Sequence, residues 1–230
     1  MKKLIILFVA LMMLFSAASA MAETTITVNG SGEVRVSADT AVISLGVNAR
    51  DKDVLKAQQQ VNEAIAEIRT ELLNQGVEEE NITTEYINIY AVYDYQNGEE
   101  LLAAYNASNT LAVKVTDMDS VGALIDAAFT AGANTLNGIS FSASDTTEAE
   151  SEALKKAVED ARTKAEILAQ ASGLRITGIQ TISENGVYSY ENSVGNYNAK
   201  MMDMAESAGT VVQAAKMIVN ASVNITFTAE

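Results

Sequence analysis

The side chains able to do chemistry here are carboxylates, lysines, hydroxyls and tyrosines, because histidine and cysteine are absent from all 230 residues. That absence removes Ser-His-Asp and Cys-His catalysis and every His- or Cys-ligated metal centre. A Ser/Lys hydrolase would need a lysine whose pKa is depressed by burial. Lys114, which shares the polar face of a strand with Ser108, is the one candidate. A solvated surface lysine is its plainer reading. Paired carboxylates occur at Asp51/Asp53, Asp117/Asp119 and Glu148/Glu150/Glu152. All lie at helix starts, where negative charge opposes the helix dipole, so capping accounts for them without acid-base work. Calcium asks only for oxygen ligands, yet Asp51-Lys52-Asp53 and Asp117-Met118-Asp119 lack the glycine and bidentate glutamate of an EF-hand loop. No catalytic, cofactor-binding or metal residue is therefore assigned, no cofactor is expected, and the chain is read as not an enzyme.

Two stretches suit binding better than catalysis. Tyr86, Tyr90, Tyr93, Tyr95 and Tyr105 cluster on or beside a hairpin, where rings with an apolar body and a polar tip suit an oligomer or partner surface. Tyr190, Tyr197, Met201, Met202 and Met204 lie in a Gly/Asn/Ser-rich segment too long for a simple turn, expected as a flexible binding loop over residues 185–210.

The elements that must position these residues are legible from periodicity. Ile26 and Val28, then a Gly30-Ser31-Gly32 turn, then Val34 and Val36 alternate as strand. The alternation resumes at Ala41, Ile43, Leu45, Val47 and Ala49 with its parity moved by one, which predicts a bulge or break around Ala38-Asp39-Thr40. Asp51 or Asp53 caps a helix with the stripe Val54, Ala57, Val61, Ala64, Ile65, Ile68 and Leu72, ending at Gly76. A hairpin follows, Ile82 to Tyr95 and its partner, turning at Asn97-Gly98. Its second strand puts Ala103, Tyr105, Ala107, Leu111, Val113 and Val115 on a buried face, and Asn106, Ser108, Thr110, Lys114 and Thr116 on a wet one.

A short helix from Asp117 or Asp119 ends at Gly132, and a strand through Ile139, Phe141 and Ala143 follows. Next comes a helix lined by Ala153, Leu154, Ala157, Val158, Ala161, Ala165 and Leu168. It carries capping boxes at Asp145/Glu148 or Thr147/Glu150 and a stop at Gly173. Its mostly alanine stripe predicts a close approach to a β-sheet. Strands at Leu174 to Glu184 and from Val211 close the chain, the latter long enough to tie two lobes together. The fold class is α+β: a largely antiparallel or mixed sheet with helices on one face. It contains a ferredoxin-like βαββαβ unit extended by a long helix and two further strands.

Residues 1–20 read as a signal peptide: Met1-Lys2-Lys3, the apolar run Leu4 to Phe15, then small residues, with cleavage near Ala20 or Ala22. The length of the remaining 21–230 suits one domain, or two small intimately packed lobes, and no membrane anchoring is expected after cleavage. The formal charge is −15, and losing Lys2 and Lys3 leaves 13 basic against 30 acidic residues, about −17. Such a field repels phosphate backbones and anionic headgroups, so nucleic acid is not an expected partner.

Val28-Asn29-Gly30-Ser31-Gly32, Asp39, Gly46-Val47, Asn81-Ile82-Thr83-Thr84, Tyr105-Asn106-Ala107-Ser108, Ala131-Gly132-Ala133, Ile139-Ser140-Phe141, Ala157-Val158-Glu159-Asp160-Ala161, Lys164-Ala165-Glu166, Gly173 and Ile182-Ser183-Glu184 run across nearly the whole chain. In that order and spacing they resemble the SIMPL-domain family of bacterial exported proteins. The resemblance implies an α+β fold and a periplasmic location, or a secreted one in a single-membrane host. It also implies homo-oligomers that can be large and ring-like, and a part in tolerance of oxidative and other envelope stress without an agreed enzymatic activity. The family tends to have proline just before Asp39, near Ala91 and in the loop near the C-terminus, whereas this chain has none. The expected function is thus a non-catalytic, self-assembling exported protein. The rivals are a monomeric acidic module binding a cationic ligand or partner protein, and a hydrolase using Ser/Lys or carboxylates.

Overall fold

The parity shift near Asp39 is a strand break: β1 (Thr24–Ser37) stops and, after two intervening residues, β2 (Thr40–Asp51) begins. Asp39 holds the break without a proline. Its carboxylate accepts from Ser144 N (2.8 Å), Ser144 Oγ (2.6 Å) and Thr40 Oγ1 (3.0 Å), and its own N–H donates to Ser142 O. These bonds hold the Asp39 carboxyl below the ordinary carboxylate range, Ser144 contributing most.

The computed structural model describes residues 23–96, 99–191, 209–214 and 216–230. The expected leader, the Asn97-Gly98 turn, Tyr197, Met201, Met202 and Met204 lie outside them. The other elements are α1 (Val54–Asn74), β3 (Ile82–Gln96), β4 (Glu99–Val115), α2 (Val121–Thr130), β5 (Thr135–Ser142), α3 (Thr147–Ala171), β6 (Ile176–Glu191) and β7 (Lys216–Ala229). They form an α+β fold with two antiparallel sheets, ordered β3-β4-β2-β5 and β1-β7-β6. The chain divides into two units, one of residues 1–32, 154–186 and 221–230, the other of 33–153 and 187–220.

The larger unit holds the βαββαβ order. Its first and third strands, β2 and β4, are central and pair antiparallel, with β5 and β3 outside them. That interleaving is the split βαβ expected from the sequence. Ala41, Ile43, Leu45 and Val47 of β2 and Ala107, Leu111, Val113 and Val115 of β4 face Ala57, Val61, Ile65, Ile68 and Leu72 of α1 and Val121, Leu124, Ile125 and Ala128 of α2 in one buried cluster. Each large member contributes roughly 1.5–3 kcal/mol by leaving water. Asp53 is the α1 cap, accepting from Leu55 N, while Asp51 accepts from Asp53 N.

In the smaller unit Thr27 meets Thr226, Asn224 meets Asn29, and Thr177 meets Thr228 across β1-β7-β6. The Gly30-Ser31-Gly32 turn expected from the sequence is absent, and β1 runs straight through it. The glycine serves close approach instead. A Cβ on Gly30 would lie 2.0 Å from Ala157 O and 2.7 Å from Ala161 Cβ. The buried row of α3 is Ala149, Ala153, Ala157, Ala161, Ala165 and Ala169, one strict i+4 ridge, while Val158 and Leu168 are exposed at its border. At its end Gly173 takes φ 71° and Leu174 N donates to Ala169 O, a Schellman closure. At its start the helix opens one residue away from either expected capping box. Asp145 accepts from Thr147 N, and Thr146 Oγ1 donates to Glu150.

Two further boundaries differ from expectation. β6 continues past Asn185-Gly186 to Glu191, because Gly186 absorbs the local twist at φ 117° and Val187-Tyr188-Ser189-Tyr190 resumes a strand alternation. β7 starts at Lys216, and the stretch before it is anchored on α2 instead. There Asp126 accepts from Thr210 N (2.9 Å) and Thr210 Oγ1 (2.5 Å).

Candidate functional site

The hairpin of β3 and β4 carries the tyrosines, and its register decides which way each points. Two register shifts interrupt it, between Thr84 and Tyr86 and between Val92 and Tyr93. Between them Tyr86 lies opposite Thr110, Asn88 opposite Ser108 and Tyr90 opposite Asn106, all on the face away from α1 and α2. Ile87, Ile89 and Ala91 lie opposite Asn109, Ala107 and Tyr105 on the helix-covered face. Tyr86, Tyr90, Tyr93 and Tyr105 therefore do not form one patch. Tyr86 and Tyr90 are exposed on the outer face, Tyr105 is half-buried on the other, and Tyr93 is exposed beyond the second shift. Tyr95 pairs with Glu100 near the end of the hairpin.

The surface is larger and more apolar than the tyrosines alone. Ile87 is 61% and Ile89 37% exposed although both belong to the helix-side face, and Leu101 and Leu102 are about half exposed. The signal for them was in the sequence: Ile87-Asn88-Ile89-Tyr90-Ala91-Val92 places apolar groups on both faces of one strand, which a singly covered sheet leaves partly bare. Correspondingly, the face of β4 expected to be wet is only partly so. Asn106 and Thr110 are buried, each opposite a tyrosine on β3, while Lys114 and Thr116 are exposed.

Catalytic candidates are scattered. Ser108 and Lys114 sit six residues apart along β4, about 20 Å at strand rise, so they cannot act as a dyad. Ser108 Oγ instead donates to Asn88 O (3.4 Å). Ser44 Oγ donates to the Glu85 carboxylate, and Asn137 Nδ2 reaches Ser44 Oγ (3.5 Å) and Thr110 Oγ1 (3.4 Å), fastening the bulge at Glu85 to β2 and β5. A shallow cleft of about 370 Å³ is lined by Ala66, Glu67, Thr70, Glu71 and Ala131. Among the described residues no three His, Cys, Asp or Glu side chains converge as a metal site requires. The carboxyls held low, Asp39, Asp126, Asp145 and Asp160, each owe this first to a hydrogen bond from Ser144, Thr210, Thr147 or Lys164, which are structural ties.

Of the expected loop residues, Tyr190 is exposed on strand β6 and accepts from Asn220 Nδ2 (3.1 Å). Tyr197, Met201, Met202 and Met204 lie outside the described residues. No helix among the described residues is long and apolar enough to cross a membrane.

Residues 26–227 match the SIMPL family, described as a protein of unknown function (DUF541). The chain is similar to the 26 kDa periplasmic immunogenic protein of Brucella melitensis, 28% identical over 88% of this chain and 83% of the relative. The protein of that name in Brucella abortus is 27% identical over the same shares. The uncharacterized protein YggE of Escherichia coli K12 is 27% identical over 77% of this chain and 69% of the relative.

Proposed function

The chain belongs to the SIMPL family, and from that premise we propose that it is a non-catalytic exported protein that works by assembling with copies of itself through the β3–β4 hairpin. The observation that carries this reading is the run of exposed apolar side chains on a strand at the margin of its sheet, Tyr86, Ile87, Ile89, Tyr90 and Tyr93. A sheet margin of that length and hydrophobicity is a template for another strand. Export to the periplasm, or to the outside of a single-membrane host, is supported by the leader-like Met1 to Ala20 and by the periplasmic relatives. A role in envelope and oxidative stress tolerance accompanies the family resemblance, and a deletion strain more sensitive to peroxide would bear on it.

The direct test is size-exclusion chromatography with light scattering on the chain lacking residues 1–22. The expected mass at micromolar concentration is a multiple of the protomer. A strictly monomeric protein would remove the assembly reading.

A further inference from the structure

Four strands stand at sheet margins among the described residues, and they are not equivalent. β5 has eight residues and a register shift at Ser44/Leu45 of its partner. β1 contains Gly30, Gly32, Glu33 and Arg35; β6 contains Gly178, Glu184 and Gly186. On β3 the seven residues between the two register shifts, Tyr86 to Val92, contain no charge and no glycine, and the whole chain lacks proline. The strand's two acids, Glu85 and Asp94, fall just outside this run at opposite ends. Lysine, proline and charge, the usual means of blunting a sheet margin, are all missing from it.

Resting on the self-assembly reading above, we propose that two copies join by antiparallel pairing of β3 with β3 about a two-fold axis at Ile89, the middle of that run. The two four-stranded sheets then become one sheet of eight. In this register Tyr86 of each copy stands opposite Val92 of the other, Ile87 opposite Ala91, Asn88 opposite Tyr90, and Ile89 opposite itself. Each face meets its own kind, so the exposed Ile87 and Ile89 on the helix side gain apolar cross-strand neighbours. Glu85 lands opposite Tyr93, and Asp94 opposite Thr84, so no like charges are opposed. That matters in a chain carrying a net charge of −15. Parallel in-register pairing would stack Glu85 on Glu85 and Asp94 on Asp94, which is destabilising. The antiparallel contact is self-complementary, as a two-fold interface must be.

The absence of cysteine makes the test direct. Ile89→Cys places the only thiol of each copy on the axis. Directly opposite Cα atoms in an antiparallel pair are about 4.5–5.5 Å apart, within disulfide reach. Copper(II)-phenanthroline is added as the oxidant: two Cu(II) centres take one electron each and the two thiol protons pass to solvent as the S–S bond forms, and most of this variant is expected to become a covalent dimer on a non-reducing gel. Tyr86→Cys alone puts its two thiols about 20 Å apart and is expected not to link. Mixed Ile87→Cys and Ala91→Cys proteins are expected to give the heterodimer, a readout that leaves Ile89 intact. Equal linking by every single-cysteine variant, or linking of Ile89→Cys only to Ile179→Cys on β6, would overturn the proposal. Failure to link while light scattering still reports a multimer would overturn this pairing and spare self-assembly; failure to link in a monomeric protein would overturn both.

Discussion

The contact of α3 with β1 and the β3 margin handle apolar surface in opposite ways. Where α3 lies on β1, glycine faces an alanine ridge at a separation that leaves no room for a Cβ, and the polar border is tied by Asp160. Its carboxylate accepts from Ser31 N (2.8 Å), Ser31 Oγ (3.3 Å) and Lys164 Nζ (2.7 Å). On β3, isoleucines and tyrosines stand half bare, and among the described residues no strand pairs with the side away from β4. The first region is finished within the protomer; the second has surface left over. Substitutions should therefore act on stability in the first and on association in the second.

The largest effect is expected from Gly30→Val. Its Cβ would overlap Ala157 O, a backbone atom that cannot swing aside, so a loss of about 3 kcal/mol is expected in denaturant unfolding. An unchanged midpoint would break the claim of close fit. Ala161→Leu adds methylenes to the same ridge from the other side and should cost about 1–3 kcal/mol, read as a lower melting temperature.

Asp160→Asn should cost about 1 kcal/mol at neutral pH, and it also changes the acid limb. Hydrogen bonding from Lys164 and Ser31 lowers the Asp160 pKa in the folded state, so its contribution is full above the unfolded value, about 3.9, and is lost as pH falls through the folded one. The wild type should thus lose stability between about pH 4 and its acid transition more steeply than Asp160→Asn, as pH-dependent melting would show. Ile87→Lys is expected to move protomer stability by no more than about 0.5 kcal/mol, because the side chain is largely exposed. It should nevertheless abolish association measured by light scattering, the smallest effect on folding with the largest on assembly.

Much of the α+β architecture could be read from the residues. The α1 stripe and the βαββαβ order follow from periods of 3.6 and 2, and the parity slip marked the break at Asp39. At Gly30-Ser31-Gly32 the sequence is ambiguous, because a glycine pair looks the same whether it turns the chain or admits a helix; only Ala157 and Ala161, far away in sequence, distinguish the two. The expected strand end at Glu184 differs from the observed one at Glu191 because Asn185-Gly186 suits a twist inside a strand as well as the end of one. The tyrosine cluster was visible but not its division between faces, which depends on the bulge at Glu85. The degree of exposure of the isoleucines between the tyrosines is not legible in the sequence, because alternation alone says which residues share a face, not how far the helices reach across it.

Hydrogen exchange as a function of protein concentration sets the two regions side by side. Backbone amides of Tyr86 to Val92 that point away from β4 should gain protection as concentration rises, whereas Ala157 to Ala165 should be equally protected throughout. Protection on β3 that ignores concentration would contradict the account.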